Sequence, residues 1–207
     1  LDELEKSYSL AIVGEEDIDM NPAFIIAVQP KDEMRYLRKI WVTKAHFLPI
    51  QAVIYDVSGD ILEQVLFTDF QVKGSTDPGI GKGAMGDVVS SSQVKPFVGA
   101  YQVNTVPSGF KPVFYDSKPI HQSAQAVEHL ILSDGMASVS VYLENKPTEI
   151  TIDAAIPEGI HSVGAINSIS RDLGSAQATV LGEVPSSTVK MIVDGIGLQT
   201  ESTDKQP

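Results

Sequence analysis

Three short stretches hold residue types that could do chemistry. Gly81-Lys82-Gly83-Ala84-Met85-Gly86 has the glycine spacing of a dinucleotide-binding turn. Such a turn works between a strand and a helix, whose first amides face the pyrophosphate. Here the neighbours are Asp77-Pro78-Gly79 and Ser90-Ser91-Ser92, so a linker is expected instead. Asp56, Ser58 and Asp60 match the opening of a calcium loop, but Ile61 stands where that loop needs Gly and Phe67 where it needs Glu. A hairpin turn is the reading kept. His129, Ser133 and Asp134 are the types of an acyl-transfer triad, whose base must reach its nucleophile. Along an extended strand His129 and Ser133 would be ~13 Å apart, and turn chemistry accounts for all three. His46, His121 and His161 fall at unrelated spacings. No catalytic residue, metal site or cofactor is expected.

The elements that would position these residues read as strands. Up to residue 72, short apolar or alternating runs are broken by turn residues: Tyr8 to Val13, Ala23 to Val28, Arg35 to Val42, Ile50 to Asp56 and Ile61 to Val72. Strands at this spacing predict an antiparallel meander, with Ser58-Gly59-Asp60 closing its last hairpin. Residues 73 to 96 hold five Gly, two Pro and several Ser, the composition of a linker. Strands follow around Ala100 to Val106 and from Phe110 to Tyr115. Val127 to Leu132 and Ala137 to Leu143 then flank Ser133-Asp134-Gly135, a strong hairpin signal. A further pair is expected at Val163 to Ser170 and Ala176 to Glu183. Pro185-Ser186-Ser187 opens a helix whose stripe is Val189, Ile192, Val193 and Ile196, ended by Gly195 and Gly197. The tail 199 to 207 is expected to be disordered.

Composition narrows the function further. The 207 residues include no Cys, which excludes disulfide frameworks and thiolate sites. Fifteen Lys and Arg against 27 Asp and Glu leave a net charge of -12, which argues against nucleic acid as a partner. No apolar run reaches the ~20 residues of a membrane helix, and no export signal is visible, which leaves a cytosolic chain or a processed piece. Seven acids and one Lys occupy residues 1 to 20, the pattern of a solvated acidic surface. A cationic strip follows: Lys31, Arg35, Arg38, Lys39 and Lys44, interleaved with Tyr36, Leu37, Ile40 and Trp41.

Val106-Pro107-Ser108-Gly109-Phe110, Val127-Glu128-His129-Leu130 and the run from Ser133 to Val141 resemble the C-terminal domain of the MucB/RseB family. Gly164-Ala165-Ile166-Asn167 and Gly182-Glu183-Val184-Pro185, then Thr188-Val189, continue the same order. Upstream, Gln29-Pro30-Lys31-Asp32, Arg35-Tyr36, Ile40-Trp41-Val42, Leu48-Pro49-Ile50 and Leu62-Glu63-Gln64 resemble the later strands of that family's LolA-like large domain. The resemblance implies a mainly β, α+β chain. Residues 1–72 would be the end of a partial antiparallel half-barrel, 73–96 a linker, and 97–198 a small domain with an antiparallel sheet and a C-terminal helix. A complete member would begin with an export signal and further strands and helices, so a fragment is expected, with exposed edges that a second copy could pair.

The function implied is that of a periplasmic, non-catalytic negative regulator of the sigma-E envelope-stress response. It would bind the periplasmic part of an RseA/MucA-like anti-sigma factor and shield it from site-1 proteolysis until lipid or lipopolysaccharide displaces it. Ser138, Ser140, Tyr142 and nearby Arg171 are the candidate peptide contacts. Arg35, Arg38, Lys39 and Trp41 are the candidate contacts for lipid or its phosphates, since lipid A acyl chains would need an apolar groove. The alternative functions are a lipid or lipoprotein carrier of LolA/LolB type and, with least support, a hydrolase using Ser133.

Overall fold

The structure is a computed structural model that describes residues 2–68, 100–119, 126–146 and 159–198. The stretch expected to be a linker, together with its glycine motif, His121 and residues 199–207, lies outside them. After a one-turn helix α1 (Leu4–Ser7), five strands follow as a meander: β1 (Tyr8–Ile18), β2 (Asn21–Pro30), β3 (Leu37–Thr43), β4 (Pro49–Tyr55) and β5 (Ile61–Leu66). They form one antiparallel sheet in chain order. Two-residue periodicity sorts its side chains. Ala23, Trp41 and Val53 cluster on one face with Ile18, Ile25 and Tyr55, while the opposite face is described below.

The rest of the chain contributes β6 (Tyr101–Val103), β7 (Lys111–Pro119), β8 (Ala126–Ser133), β9 (Ser138–Asn145), β10 (Gly159–Val163), β11 (Ile166–Asp172), β12 (Ala176–Gly182), α2 (Ser186–Asp194) and β13 (Ile196–Leu198). The second sheet runs β10-β11-β12-β9-β8-β7, and β13 pairs with β6. Val139, Val141 and Leu143 alternate inward along β9 and meet Ala178 and Val180 of β12, over which α2 lays Val189, Ile192 and Val193. All eight are at most 4% exposed. At roughly 1.5–3 kcal/mol for each large apolar side chain, this packing gives the second sheet a core of its own.

The structure corrects the sequence reading at four places. The strand expected to start at Val163 starts at Ile166 as β11, because Gly164 takes φ +56° and turns the chain, and Val163 instead ends the separate strand β10. Ile196 belongs to β13 and not to the helical stripe, since the helix ends at Asp194 and Gly195 returns its amide to Met191 and Ile192. The third strand starts at Leu37, so Arg35 precedes it and turns inward. Helix α1 had no sequence signal.

Candidate binding site

The two sheets meet at one end of the meander around a buried guanidinium. Arg35 Nε donates to Asp134 Oδ2 at 2.5 Å, Nη1 to Asp32 Oδ2 at 2.5 Å and Nη2 to the Ser108 carbonyl. Its side chain is 0% exposed and that of Asp134 is 1% exposed. The plane lies 5.5 Å from the Tyr8 ring centre and 5.0 Å from that of Phe110, distances suited to cation–π attraction. Asp134 serves both elements at once. Oδ1 accepts the Met136 and Ala137 amides at 2.9 and 2.8 Å, which builds the β8–β9 turn, while Oδ2 takes Arg35 and the Tyr8 hydroxyl.

Burial alone would push the Asp134 carboxyl up, but the Ala137 amide, Arg35, the Met136 amide and Tyr8 outweigh it and hold the group below the usual carboxylate range. The Tyr8 phenol is pushed up by burial and by the neighbouring Asp134 charge. Two neutral links complete the joint. Asn167 Nδ2 donates to Tyr36 Oη and to the Val184 carbonyl, both at 2.8 Å, and Thr188 Oγ1 donates to the Met34 carbonyl at 2.7 Å. Gly109, at φ +89°, leaves room that a side chain would fill: a Cβ there would stand 2.7 Å from Ser7 Oγ and 3.3 Å from Arg35 Nη2.

Beside this joint opens an apolar surface. Antiparallel register places Ile12, Ile26, Ile40, Ala52 and Val65 in one row straight across all five strands of the meander. Ile12 is 63% exposed and Val65 47% exposed, so the row is not covered by any described residue at its ends. It runs into a cavity of about 180 Å³ lined by Ile40, Ala52, Ile54 and Val65, with the charged Arg38 and Glu63, from the first sheet and by Met136 and Glu183 from the second part of the chain. Arg38 Nη2 meets Glu183 Oε2 across the rim at 2.6 Å, with side chains 17% and 33% exposed.

The residues picked out from sequence divide among several places. Of the cationic strip, only Arg38 lines the cleft. Arg35 is buried inside the joint, its side chain 0% exposed, and cannot meet an outside phosphate, which corrects that expectation. Lys39 and Trp41 lie on the opposite face of the sheet, where Lys39 covers the Tyr55 ring and Trp41 Nε1 donates to Glu16 at 2.7 Å. Ser138, Ser140 and Tyr142 do share one face of β9, and His129 stacks on Tyr142 with ring centres 4.2 Å apart. Burial pulls the His129 imidazole below its ordinary pKa against the pull of Asp116. Arg171 does not join them: in register with Ala178 and Leu143, it faces α2 and reaches the Val193 carbonyl and Asp194.

The acyl-transfer triad is not assembled. His129 Nε2 contacts Ser140 Oγ at 3.1 Å, whereas Ser133 Oγ donates to the Ala137 carbonyl and accepts the Gly135 amide within the turn. Asp56 likewise closes its hairpin by accepting from the amides of Ser58 and Asp60. Among the described residues no group of His, Asp or Glu is arranged to hold a metal, and no helix is long and apolar enough to cross a membrane. Tyr8, Asp134, Asn167, Thr188 and Glu183 are not singled out in the sequence as contacts of the joint or cleft: Asp134 reads as a turn former, and Asn167, Glu183 and Thr188 enter only within the stretches that resemble the family.

An open five-stranded meander, fastened by a buried ion pair to a helix-backed sheet with an apolar cleft between them, defines a two-part β protein with a surface left free to be covered. Residues 1–96 match the MucB/RseB N-terminal domain and residues 98–197 the MucB/RseB C-terminal domain, and the chain belongs to that family. It is 23% identical over 200 residues to the sigma-E factor regulatory protein RseB of Haemophilus influenzae, covering 94% of this chain and 61% of that protein. It is 27% identical over 194 residues to the sigma factor AlgU regulatory protein MucB of Pseudomonas aeruginosa, covering 92% of this chain and 60% of that one. The chain thus spans about three fifths of these relatives. Its fold is similar to MucB in a crystal structure with MucA(peri), with TM-score 0.74, 24% identity and coverage of 96% of this chain and 70% of the other. A Pseudomonas aeruginosa MucA/MucB complex gives TM-score 0.72 at 24% identity, covering 96% and 68%.

Proposed function

We propose that this chain is the binding part of a periplasmic negative regulator of a sigma-E-type stress response, acting without catalysis. It holds the periplasmic segment of a membrane anti-sigma factor and so keeps that segment from its site-1 protease. Residues 1–72 and 97–198 act as two units that grip the segment between them. The observation that carries this reading is the uncovered apolar row that runs from Ile12 to Val65 into the cleft beneath Glu183. Roughly 25 cal/mol is gained for each Å² of such surface removed from water, so an amphipathic segment laid along the row would be held. The Arg38–Glu183 pair at the rim offers both signs of charge to orient it. Ser138, Ser140 and Tyr142 provide a second, polar contact on the outer face of the other sheet. The names of the curated relatives and of the MucA/MucB complex support the choice of partner.

Release follows from competition. A lipid acyl chain that fills the same row displaces the segment only as far as it binds the free protein better than the complex. The test is a titration of this chain with a labelled periplasmic anti-sigma peptide, followed by lipid A. Saturable binding that Ile40→Asp weakens at least tenfold, and that lipid A reverses, is expected. Lipid uptake without peptide binding would favour a lipid carrier instead, a reading that the same apolar row also supports.

A further inference from the structure

The end of the first sheet opposite the joint carries two bulky apolar side chains in conformations that such residues avoid. Among the described residues, the only non-glycine residues at positive φ are Asp19 (48°), Met20 (62°) and Phe47 (53°). Asp19 and Met20 form the two-residue β1–β2 turn, whose geometry favours Asn-Gly. Phe47 closes the β3–β4 loop, where its amide donates to the Thr43 carbonyl at 2.9 Å and Thr43 in turn donates to the Leu48 carbonyl at 2.9 Å. Left-handed backbone at a bulky non-glycine residue is an outlier, and such outliers cluster where a chain acts. The two turns are neighbours, since the Lys44 amide donates to the Pro22 carbonyl at 2.8 Å. Met20 is 93% exposed and Phe47 71%. Phe67, 54% exposed, reaches the same end beside Ile50.

From these tips we infer that the distal end of the meander docks on a bilayer surface, with Met20 and Phe47 entering the headgroup boundary. At 93% and 71% exposed, the two tips are not among the residues that line the polar cavity beside them, which Glu15, Glu16, Asp17, Pro22, Ala23 and Lys44 form. A protein partner would need a complementary, closely packed surface around each tip, whereas binding to a bilayer interface scales with the apolar area buried in it. The charges around them select the kind of surface. Glu15, Glu16, Asp17 and Asp19 outnumber Lys44, which is itself paired with Glu15. An acidic rim suits zwitterionic headgroups and is repelled by anionic ones. Docking there would leave the cleft and the second sheet facing water.

The test is flotation of the full chain with vesicles of phosphatidylcholine and phosphatidylethanolamine, and with the same vesicles containing phosphatidylglycerol. Met20→Asn and Phe47→Gly suit the left-handed backbone better than the natural residues, so both variants should fold with an unchanged or higher melting temperature. Each should nevertheless partition about tenfold less onto zwitterionic vesicles, and the pair about a hundredfold less. Phe47→Trp should show blue-shifted emission that brominated lipid quenches. Three results would overturn the inference: no flotation of the unaltered chain, flotation unchanged in the double variant, or tighter binding to the anionic vesicles. A self-associating chain that the double variant turns monomeric, without flotation, would assign the tips to a second copy and equally refute it.

Discussion

Replacing Arg35 by Met should cost this protein a large part of its stability and should uncouple its two sheets. The substitution keeps the length and apolar stem of the side chain but removes the donors that satisfy Asp134, Asp32 and the Ser108 carbonyl. Asp32 is 38% exposed and can turn to water. Asp134 is 1% exposed and cannot, although its turn amides remain. Removing one partner of a buried pair costs roughly 3–5 kcal/mol, against a total of about 5–15 kcal/mol for a domain. A second substitution, Asp134→Asn, removes the stranded charge while its amide oxygen can still accept the turn amides and its nitrogen can donate to Tyr8 Oη. The double variant should therefore be more stable than Arg35→Met alone, with a coupling on the order of 2 kcal/mol. Urea unfolding provides the assay, because the single Trp, Trp41, lies in the first sheet. Trp41 fluorescence should lose its signal at lower urea than far-UV circular dichroism in Arg35→Met, and together with it in the unaltered chain. A loss below about 1 kcal/mol, or a double variant no better than the single, would refute the claim that a desolvated charge pair joins the sheets.

Three further outcomes follow from the same geometry. Asp134 titrates below its unfolded value near 3.9, so its contribution is fully present above that pH and is lost as the pH falls through the folded value. The melting-temperature difference between the unaltered chain and Asp134→Asn should hold between about pH 5 and 8 and shrink below about pH 4, while His129, held below its ordinary pKa, adds a separate loss in both chains that begins below about pH 6.5. Gly109→Ala should cost more than Gly135→Ala by denaturant titration. Both take positive φ, roughly a 1–2 kcal/mol penalty for alanine, but only at Gly109 does the new Cβ meet atoms, at 2.7 and 3.3 Å. Thr188→Val keeps the shape of a fully buried side chain and strands the Met34 carbonyl, so it should lower stability by about 1–3 kcal/mol. A change within about 0.5 kcal/mol would place that carbonyl in contact with water.

Strands and hairpins were legible because their causes are local. Ser58-Gly59-Asp60 and Asp134-Gly135 supply the positive φ that tight turns need, 94° and 96° at their glycines, and alternation told inward Val139, Val141 and Leu143 from outward Ser138, Ser140 and Tyr142. The turn at Gly164 was not legible, because Val163-Gly164-Ala165-Ile166 is apolar on both sides and reads as continuous strand. The joint was hidden for a different reason. Arg35 and Asp134 are 99 residues apart, and no local period records which distant element covers a side chain. Read in its own neighbourhood, Arg35 belonged with Arg38 and Lys39 as one more surface cation. The two-residue period alone already sends Arg38 and Lys39 to opposite faces, so the strip could not have acted as one site.

Of the ion pairs that join the first and second parts of the chain among the described residues, the two nearest the cleft differ in a way that bears on how it could work, the third, Glu3–Lys111, being exposed at the surface. Arg35–Asp134 is 0% and 1% exposed, so exchanging it for contacts with a partner would require desolvated charges to be parted first. Arg38–Glu183 is 17% and 33% exposed, where pairs contribute about 1 kcal/mol or less and water can replace either partner. A charged peptide or a phosphate could therefore take one member of the rim pair at little cost while the inner pair stays in place. The surface offered to a ligand then varies at its mouth and not at its base. In the proposed function the peptide and the lipid compete because they share the apolar row, and the rim pair offers each a different charge to meet. A cation on the peptide would select Glu183 and an anionic lipid headgroup Arg38. Glu183→Gln should accordingly weaken the peptide and spare the lipid, and Arg38→Gln should do the reverse, each by about tenfold at low salt and less as salt screens the pair. Equal losses of both ligands in both variants would mean that the rim pair is only a brace.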